Sequence, residues 1–251
     1  MAMSSAINTG TTFAGKTIKL TSNLDLAGVE LAPLGNFINT GGSAAALNAP
    51  FRGTFDGQDH TIANFTTTVT DYKSAAGFFG YVGEGAVIKN LTLTNPTVTG
   101  TAYTGALIGK ADKGKTYVTI SNVTVDGANV LSVPAKGANG EFDGGNNVGG
   151  LVGIVQYGVD ITGCTVKNST ITGYAKVGGF IGLCCNQNQS GGTNHTVYEN
   201  NKVEKCQVIQ SLTNAYESSV PTTIGEFYGQ LSGLALPASN TTSDVTVTPA
   251  E

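Results

Sequence analysis

Short runs in which apolar and polar residues alternate recur along the chain, as in Leu91-Thr92-Leu93 and Val123-Thr124-Val125. A period of two places successive side chains on opposite faces of an extended strand. β-branched residues, with Gly, Asn and Asp as turn formers, fill most of the remainder, and no helical stripe of apolar positions appears. The pattern predicts short strands joined by tight turns.

Those strands belong to a repeat. Gly149-Gly150-Leu151-Val152-Gly153 recurs as Ala76-Gly77-Phe78-Phe79-Gly80, Gly105-Ala106-Leu107-Ile108-Gly109, Gly178-Gly179-Phe180-Ile181-Gly182 and Gly225-Glu226-Phe227-Tyr228-Gly229. The final glycines of these copies are separated by 29, 44, 29 and 47 residues. Between them lies a second motif, Ile-x-Asn-apolar-x-apolar. It is carried by Ile88, Asn90, Leu91 and Leu93, by Ile120, Asn122, Val123 and Val125, and by Ile161, Gly163, Cys164 and Val166. Tyr198, Asn200, Asn201 and Val203 form a worn copy, and Ile62, Asn64 and Phe65 begin an earlier one. Aligning both motifs confines the extra residues of the long gaps to two corners of a constant unit, as loops on a solenoid behave.

A unit of 29 residues holding about three short strands suits one coil of a parallel β-helix. The expected fold is therefore all-β, one solenoid of six to seven coils stacked at about 4.8 Å. Expected inward columns are Ile88/Ile120/Ile161, Leu91/Val123/Cys164, Leu93/Val125/Val166/Val203 and Val98/Val130/Ile171/Val208. Asn64, Asn90, Asn122 and Asn200 are expected to stack at one bend, each amide satisfied by the copy above or below. Asn90 and Asn122 also fit the glycosylation sequon, but register within the repeat already accounts for them. Residues 1–50 would form a capping coil and loop, 51–233 the repeats, and 234–251 a C-terminal cap running into a linker.

Gly makes up 35 of the 251 residues, without a collagen period. Charged residues are 12% of the chain and the net charge is −4, with no runs. No basic stripe is present to neutralise phosphates, which argues against nucleic acid. No apolar run reaches the length of a spanning helix. Met1 to Gly10 is polar and lacks the apolar segment of a secretion signal.

The ordered set Phe13-Ala14-Gly15-Lys16-Thr17-Ile18-Lys19-Leu20, Leu24-Asp25-Leu26, Pro33-Leu34-Gly35, Phe51-x-Gly53-x-Phe55-Asp56-Gly57-x-x-His60-x-Ile62 and the Gly-Gly-Leu-Val-Gly copies resembles the GLUG-motif family. These are repeat regions of secreted or surface-attached bacterial proteins. The match runs from about residue 7 to 229. The resemblance implies a right-handed parallel β-helix, an extracellular or cell-surface setting with the leader and further domains outside this chain, and an adhesin-like or ligand-binding role. The family has no generally assigned catalytic residues, so none carries over.

Candidate chemistry is sparse. Asp56 and Asp59 have a functional reading as an acid/base pair, but an Asp-Gly turn requires such residues anyway. His60 reads as a turn partner. Cys164 and Cys206 read as small core residues, and Cys184-Cys185 is an awkward disulfide. Those two with Cys206 and His195 match no paired zinc spacing. No cofactor or metal is expected.

The corner with the largest insertions is the preferred binding surface. It carries Glu141, Phe142 and Asp143, then Tyr216 and Glu217. Tyr72, Tyr103 and Tyr174 lie just before copies of the glycine motif, where equal positions would stack as an aromatic edge fit for a sugar or peptide. The expected function is a non-catalytic module that binds a glycan or surface protein or serves as a rigid spacer. The enzyme alternative is a polysaccharide lyase or hydrolase. A more remote alternative is ice binding through outward Thr92, Thr124 and Thr165, a file that Lys202 interrupts.

Overall fold

A computed structural model describes residues 2–37, 48–112, 116–136, 142–185, 197–211, 223–232 and 237–250. Within these residues the chain is all-β apart from one short helix, Ala2–Asn8. Four sheets are built of parallel strands, and one hairpin is antiparallel.

Sheet I is seven rows deep along its main path: Thr17–Lys19, Thr54–Ala63, Val87–Thr94, Val118–Asp126, Thr165–Lys167, Lys202–Glu204 and Thr241–Ser243. Sheet II stacks Thr66–Thr68, Thr97–Gly100, Asn129–Ser132, Thr170–Gly173, Gln207–Gln210 and Thr246–Thr248. Sheet III stacks Ala75–Ala76, Tyr103–Gly105, Asn146–Gly149, Ala175–Gly178 and Ile224–Gly225. Sheet IV stacks Phe79–Val82, Ile108–Ala111, Val152–Val155, Ile181–Cys185 and Tyr228–Ser232. The chain visits I, II, III and IV in that order and then returns to I one row further on. Each strand therefore pairs with strands one pass earlier and one pass later.

The inward columns form in the expected register. Ile120 pairs with Ile88 and Ile161, Val125 with Leu93 and Val166, and Val166 with Val203. In sheet II, Val130 pairs with Val98 and Ile171, and Ile171 with Val208. All of these side chains are fully buried. Each contributes about 1.5–3 kcal/mol of transfer free energy before entropy is subtracted.

Strict alternation cannot by itself turn Ile88, Leu91 and Leu93 all inward. The residue just before Leu91 solves this by adopting the left-handed conformation, which resets the alternation by one. Asn90, Asn122, Gly163 and Asn200 have φ of 53°, 53°, 63° and 57°. Asn is the side chain that best tolerates this region, and Gly adopts it freely, which explains why Gly163 substitutes in one copy. The amides also stack: Asn122 Nδ2 donates to Asn90 Oδ1 at 3.3 Å, and Asn90 Nδ2 donates to Asp56 Oδ1 at 3.2 Å.

Asn64 does not belong to this column. Ile62 pairs with Leu93 rather than Ile88, and a register shift between Asp56 and His60 absorbs the difference. Asn64 lies at the next bend, where Asn95 Nδ2 donates to its Oδ1 at 3.3 Å. That second column continues through Gly127, Asn168, Lys205 and Asp244, all with positive φ, and each backbone N–H from Asn64 to Lys205 donates to a carbonyl in the next row. The repeat offers two similar apolar-x-Asn phases, and the shorter early copy, Ile62-Ala63-Asn64, fits the sequence pattern of both.

The glycine motif marks the corner from sheet III to sheet IV. A Cβ on Gly149 would lie 2.1 Å from the Val152 carbonyl oxygen, and one on Gly153 would lie 2.4 Å from the Thr104 nitrogen. The two sheets thus meet backbone against backbone, with no room for a methyl group. The 12-residue insertion at the other corner contributes the antiparallel hairpin Pro134–Lys136/Phe142–Gly144.

The ends are closed in different ways. At the N-terminal end the helix buries Ile7, and Ser4 and Asn8 donate to the Pro33 carbonyl at 3.2 and 3.4 Å. Phe51, Phe55, Phe65, Phe78 and Phe79 fill the core beside it. An apolar cleft of about 390 Å³ remains between the helix and the first strands, lined by Met3, Ile18, Leu26 and Phe55. Toward the C-terminus, Asn201 takes the slot of Leu91, Val123 and Cys164. It is wholly buried, yet it bonds the Cys164 N–H and the Ile161 carbonyl at 2.9 and 2.8 Å. Asn240 repeats this one row on, accepting from the Asn201 N–H and donating to the Tyr198 carbonyl. The segment 234–251, expected as a C-terminal cap running into a linker, contains the last paired strands, Thr241–Ser243 and Thr246–Thr248.

Chemical denaturation checks both corner devices. Asn122→Gly is expected to cost less than about 1 kcal/mol, whereas Asn122→Val, strained at positive φ, costs about 2 kcal/mol. Gly149→Ala is expected to cost about 3 kcal/mol or more, because backbone on both sides must move.

Candidate functional site

The Asp56 turn is structural. Burial pushes its carboxyl pKa up, but bonds from Gln58 and Asn90 and the Lys89 ammonium at 3.4 Å outweigh that and hold it at about 2. Its Oδ1 accepts the Gln58 N–H at 3.0 Å in an Asx turn. Asp59 and Gln58 occupy left-handed conformations, and the His60 ring lies 3.2 Å from Asn23 Oδ1. A carboxylate tied in this way neither donates a proton near neutral pH nor swings to a substrate. Other acids are tied similarly: Asp25 accepts from Asn64, Asp126 from Asn168 and Lys167, and Asp160 from the Val197 N–H.

The tyrosines do not assemble into one stripe. Tyr72 and Tyr174 adjoin sheet III strands three rows apart, or about 14 Å. Tyr72 carries Lys73 Nζ over its ring at 4.9 Å, and Tyr174 is half-buried beside Gly145. Tyr103 pairs with Ala75, not with the Tyr72 position. Its ring packs edge-on against Phe37 at 5.7 Å. Tyr72 and Tyr174 share a spacing of four residues from the glycine motif and Tyr103 has two, but nearness to the motif did not bring the three together, because the approach to sheet III differs in length between copies. Glu141, Tyr216 and Glu217 lie outside the described residues, as do the side chains of Phe142 and Asp143 and the whole of His195.

Tyr103 belongs instead to a cluster on the outside of sheet IV. Tyr81, Lys110, Ile154 and Leu183 form one file there. Lys110 is 5% exposed. Its Nζ lies 4.4, 5.8 and 6.0 Å from the ring centres of Phe37, Tyr81 and Tyr103. It donates to Gln156 Oε1 and lies 3.8 Å from Asp112 Oδ2. Burial lowers the Lys110 pKa, partly countered by Asp112, and burial raises that of Tyr81. The sequence signal was a lysine in a file whose neighbours Tyr81, Ile154 and Leu183 are apolar or aromatic.

An open cleft of about 380 Å³ lies near the N-terminal end, lined among others by Asn8, Glu30, Pro33, Asn36, Thr70 and Asp71. Its volume is in the range of small-molecule and sugar sites. The Asp71 backbone is fixed by Thr101 Oγ1, which donates to its carbonyl at 2.6 Å. No motif marks this cleft, because it unites the irregular first pass with the end of Thr66–Thr68.

All four cysteines are free. Burial pushes Cys164 to about 12 and Cys184 to about 11, so both remain protonated and inert. Among the described residues no group of His, Cys, Asp and Glu is placed to hold a metal ion, and no helix is long and apolar enough to cross a membrane. The outward threonine file on sheet I runs Thr61, Thr92, Thr124, Thr165, Lys202 and Thr241.

Fold and surface together define an all-β protein of registered parallel sheets with an open cleft of mixed polar and apolar lining. No protein-family model matches the chain. Over 154 residues it is 30% identical to halomucin of Haloquadratum walsbyi, covering 60% of this chain and 1% of that protein. A Gly-rich membrane protein of Evansella cellulosilytica is also 30% identical over 154 residues, covering 54% of this chain and 16% of that protein. The chain thus spans only a small part of these relatives. The crystal structure of an immunoglobulin A1 protease-like protein from Bacteroides ovatus superposes with a TM-score of 0.56 at 19% identity, over 93% of this chain and 61% of that one. That likeness concerns the fold.

The Asp56 carboxyl is held below its unfolded value, so it stabilises the fold above about pH 4, and that contribution is lost as pH falls toward about 2. Allowing for solvent screening, the loss is about 1 kcal/mol. Urea denaturation at pH 5 and pH 2.5 checks it: Asp56→Asn should show a pH dependence smaller by that amount.

Proposed function

We propose that the chain is a right-handed parallel β-helix module of the GLUG-motif kind, part of a larger surface-exposed or secreted protein. In this reading it is non-catalytic and adhesin-like, presenting a glycan or peptide cleft on a rigid stem. The relatives' names, a halomucin and a membrane protein, support a surface setting. The repeated I–II–III–IV path supports the helical winding.

The observation that carries the binding role is the division of labour among acids. Asp25, Asp56, Asp126 and Asp160 are bound into the fold, whereas Glu30 and Asp71 line an open cleft with amides and hydroxyls. Carboxylates and amides beside a proline and a valine are groups that hydrogen-bond sugar hydroxyls while packing a sugar face. A second reading, a glycoside hydrolase, draws on those same two carboxylates sharing one cleft. Ice binding is not adopted, because Lys202 breaks the sheet I file and Leu131, Gln207 and Ile209 break the sheet II files.

A glycan array followed by calorimetry tests the reading. The wild type should retain a bound oligosaccharide intact, and Glu30→Gln/Asp71→Asn should weaken binding at least about tenfold. Unchanged binding in the double variant would remove the cleft from the account. Release of shortened sugars by the wild type would move it to the hydrolase reading.

A further inference from the structure

Lys110 has no role in the cleft or in the inward columns. It projects from the outer side of sheet IV, where a lysine would ordinarily extend into water. Instead Phe37, Tyr81 and Tyr103 cover it. Beneath this cover its amine contacts the side-chain amide of Gln156, and the Asp112 carboxylate lies 3.8 Å away. Gln156 is held in place by backbone, since its N–H donates to the Ala111 carbonyl at 2.9 Å. The amide carbon of Gln156 is bonded to the oxygen that Lys110 touches, so amine and carbonyl carbon are next neighbours.

We propose that Lys110 Nζ and Gln156 Cδ join in a spontaneous intramolecular isopeptide bond, with Asp112 carrying the proton. Lys110 begins as an ammonium and gives one proton to the Asp112 carboxylate. The freed amine lone pair attacks Cδ, and the carbonyl electrons move onto Oε1. A second proton passes from Nζ to Nε2 by way of Asp112. The Cδ–Nε2 bond then breaks, the C=O re-forms, and ammonia leaves, taking the first proton from Asp112 as ammonium. One C–N bond forms, one breaks, no electrons are gained or lost, and no outside reagent is needed.

Each neighbour has a part in this chemistry. The three rings exclude water that would otherwise compete for the amide carbon, and the pair is held at high effective concentration. Burial lowers the Lys110 pKa and so favours the nucleophilic form. The ring faces favour the ammonium, which is why the reaction needs a carboxylate to take the proton. Cys185, the other nucleophile whose charge bears on Lys110, is kept protonated by burial and does not compete. The product would tie Ile108–Ala111 to the residue just after Val152–Val155, positions 46 apart in sequence. This links two successive passes along the direction in which a stacked rod would be pulled apart.

Intact mass spectrometry of the purified full chain decides the matter without any variant. The expected mass is lower than the sequence mass by one ammonia, and a tryptic map contains a branched peptide joining residues 110 and 156. Lys110→Arg and Gln156→Met should each restore the full mass, less only the substitution itself. Asp112→Asn should leave the bond unformed in a chain whose far-ultraviolet circular dichroism is unchanged. A folded wild type with full mass and linear peptides through both residues would overturn the proposal, as would ammonia loss mapping elsewhere. Normal cross-linking in Asp112→Asn would overturn the assignment of the proton carrier.

Discussion

Everything in this molecule depends on backbone hydrogen bonds running from each pass to the next in register, with one shift between Asp56 and His60. A parallel strand has partners on both sides only if the neighbouring pass presents the same length of strand at the same place. The chain meets that condition with two local devices. Left-handed Asn or Gly residues reset the inward face between strands, and paired glycines let sheets III and IV meet at the backbone. With the corners fixed, the aliphatic columns have one place to go. Their burial then stabilises the same register that the corners specify.

Much of this was legible in the sequence because a repeat states its own alignment. Ile88, Ile120 and Ile161 shared a phase on paper and share a column in the structure. Legibility failed where the period did. The ten-residue strand Thr54–Ala63 carries a bulge that moved Asn64 to the second bend. The helix Ala2–Asn8 is too short to show an amphipathic period and is held by contacts to Pro33. Tyr72 and Tyr174 lie four residues before the glycine motif and Tyr103 two before it, but rows of sheet III separate them, so the aromatic edge did not form. Asn201 was read as wear in the repeat, although it and Asn240 supply side-chain bonds inside the column toward its end.

The candidate sites follow the same division. Regular passes leave few groups to spare: their acids and amides are spent on bends and turns. Groups open to a ligand occur where regularity lapses, in the first pass around Glu30, Asn36 and Asp71. The caged Lys110 is the exception, a charged residue placed within a regular file. Its surroundings resemble those of a reactant more than those of a surface charge.

Distance between labels along one file tests the registered stack most directly. Thr61 and Thr241 stand five rows apart in the same outward file of sheet I. Spin labels on cysteines at these positions, in a background where the native cysteines are replaced, should give a narrow electron-resonance distance distribution centred near about 24 Å, from five steps of about 4.8 Å. A broad distribution, or a mean displaced by several row spacings, would contradict the account.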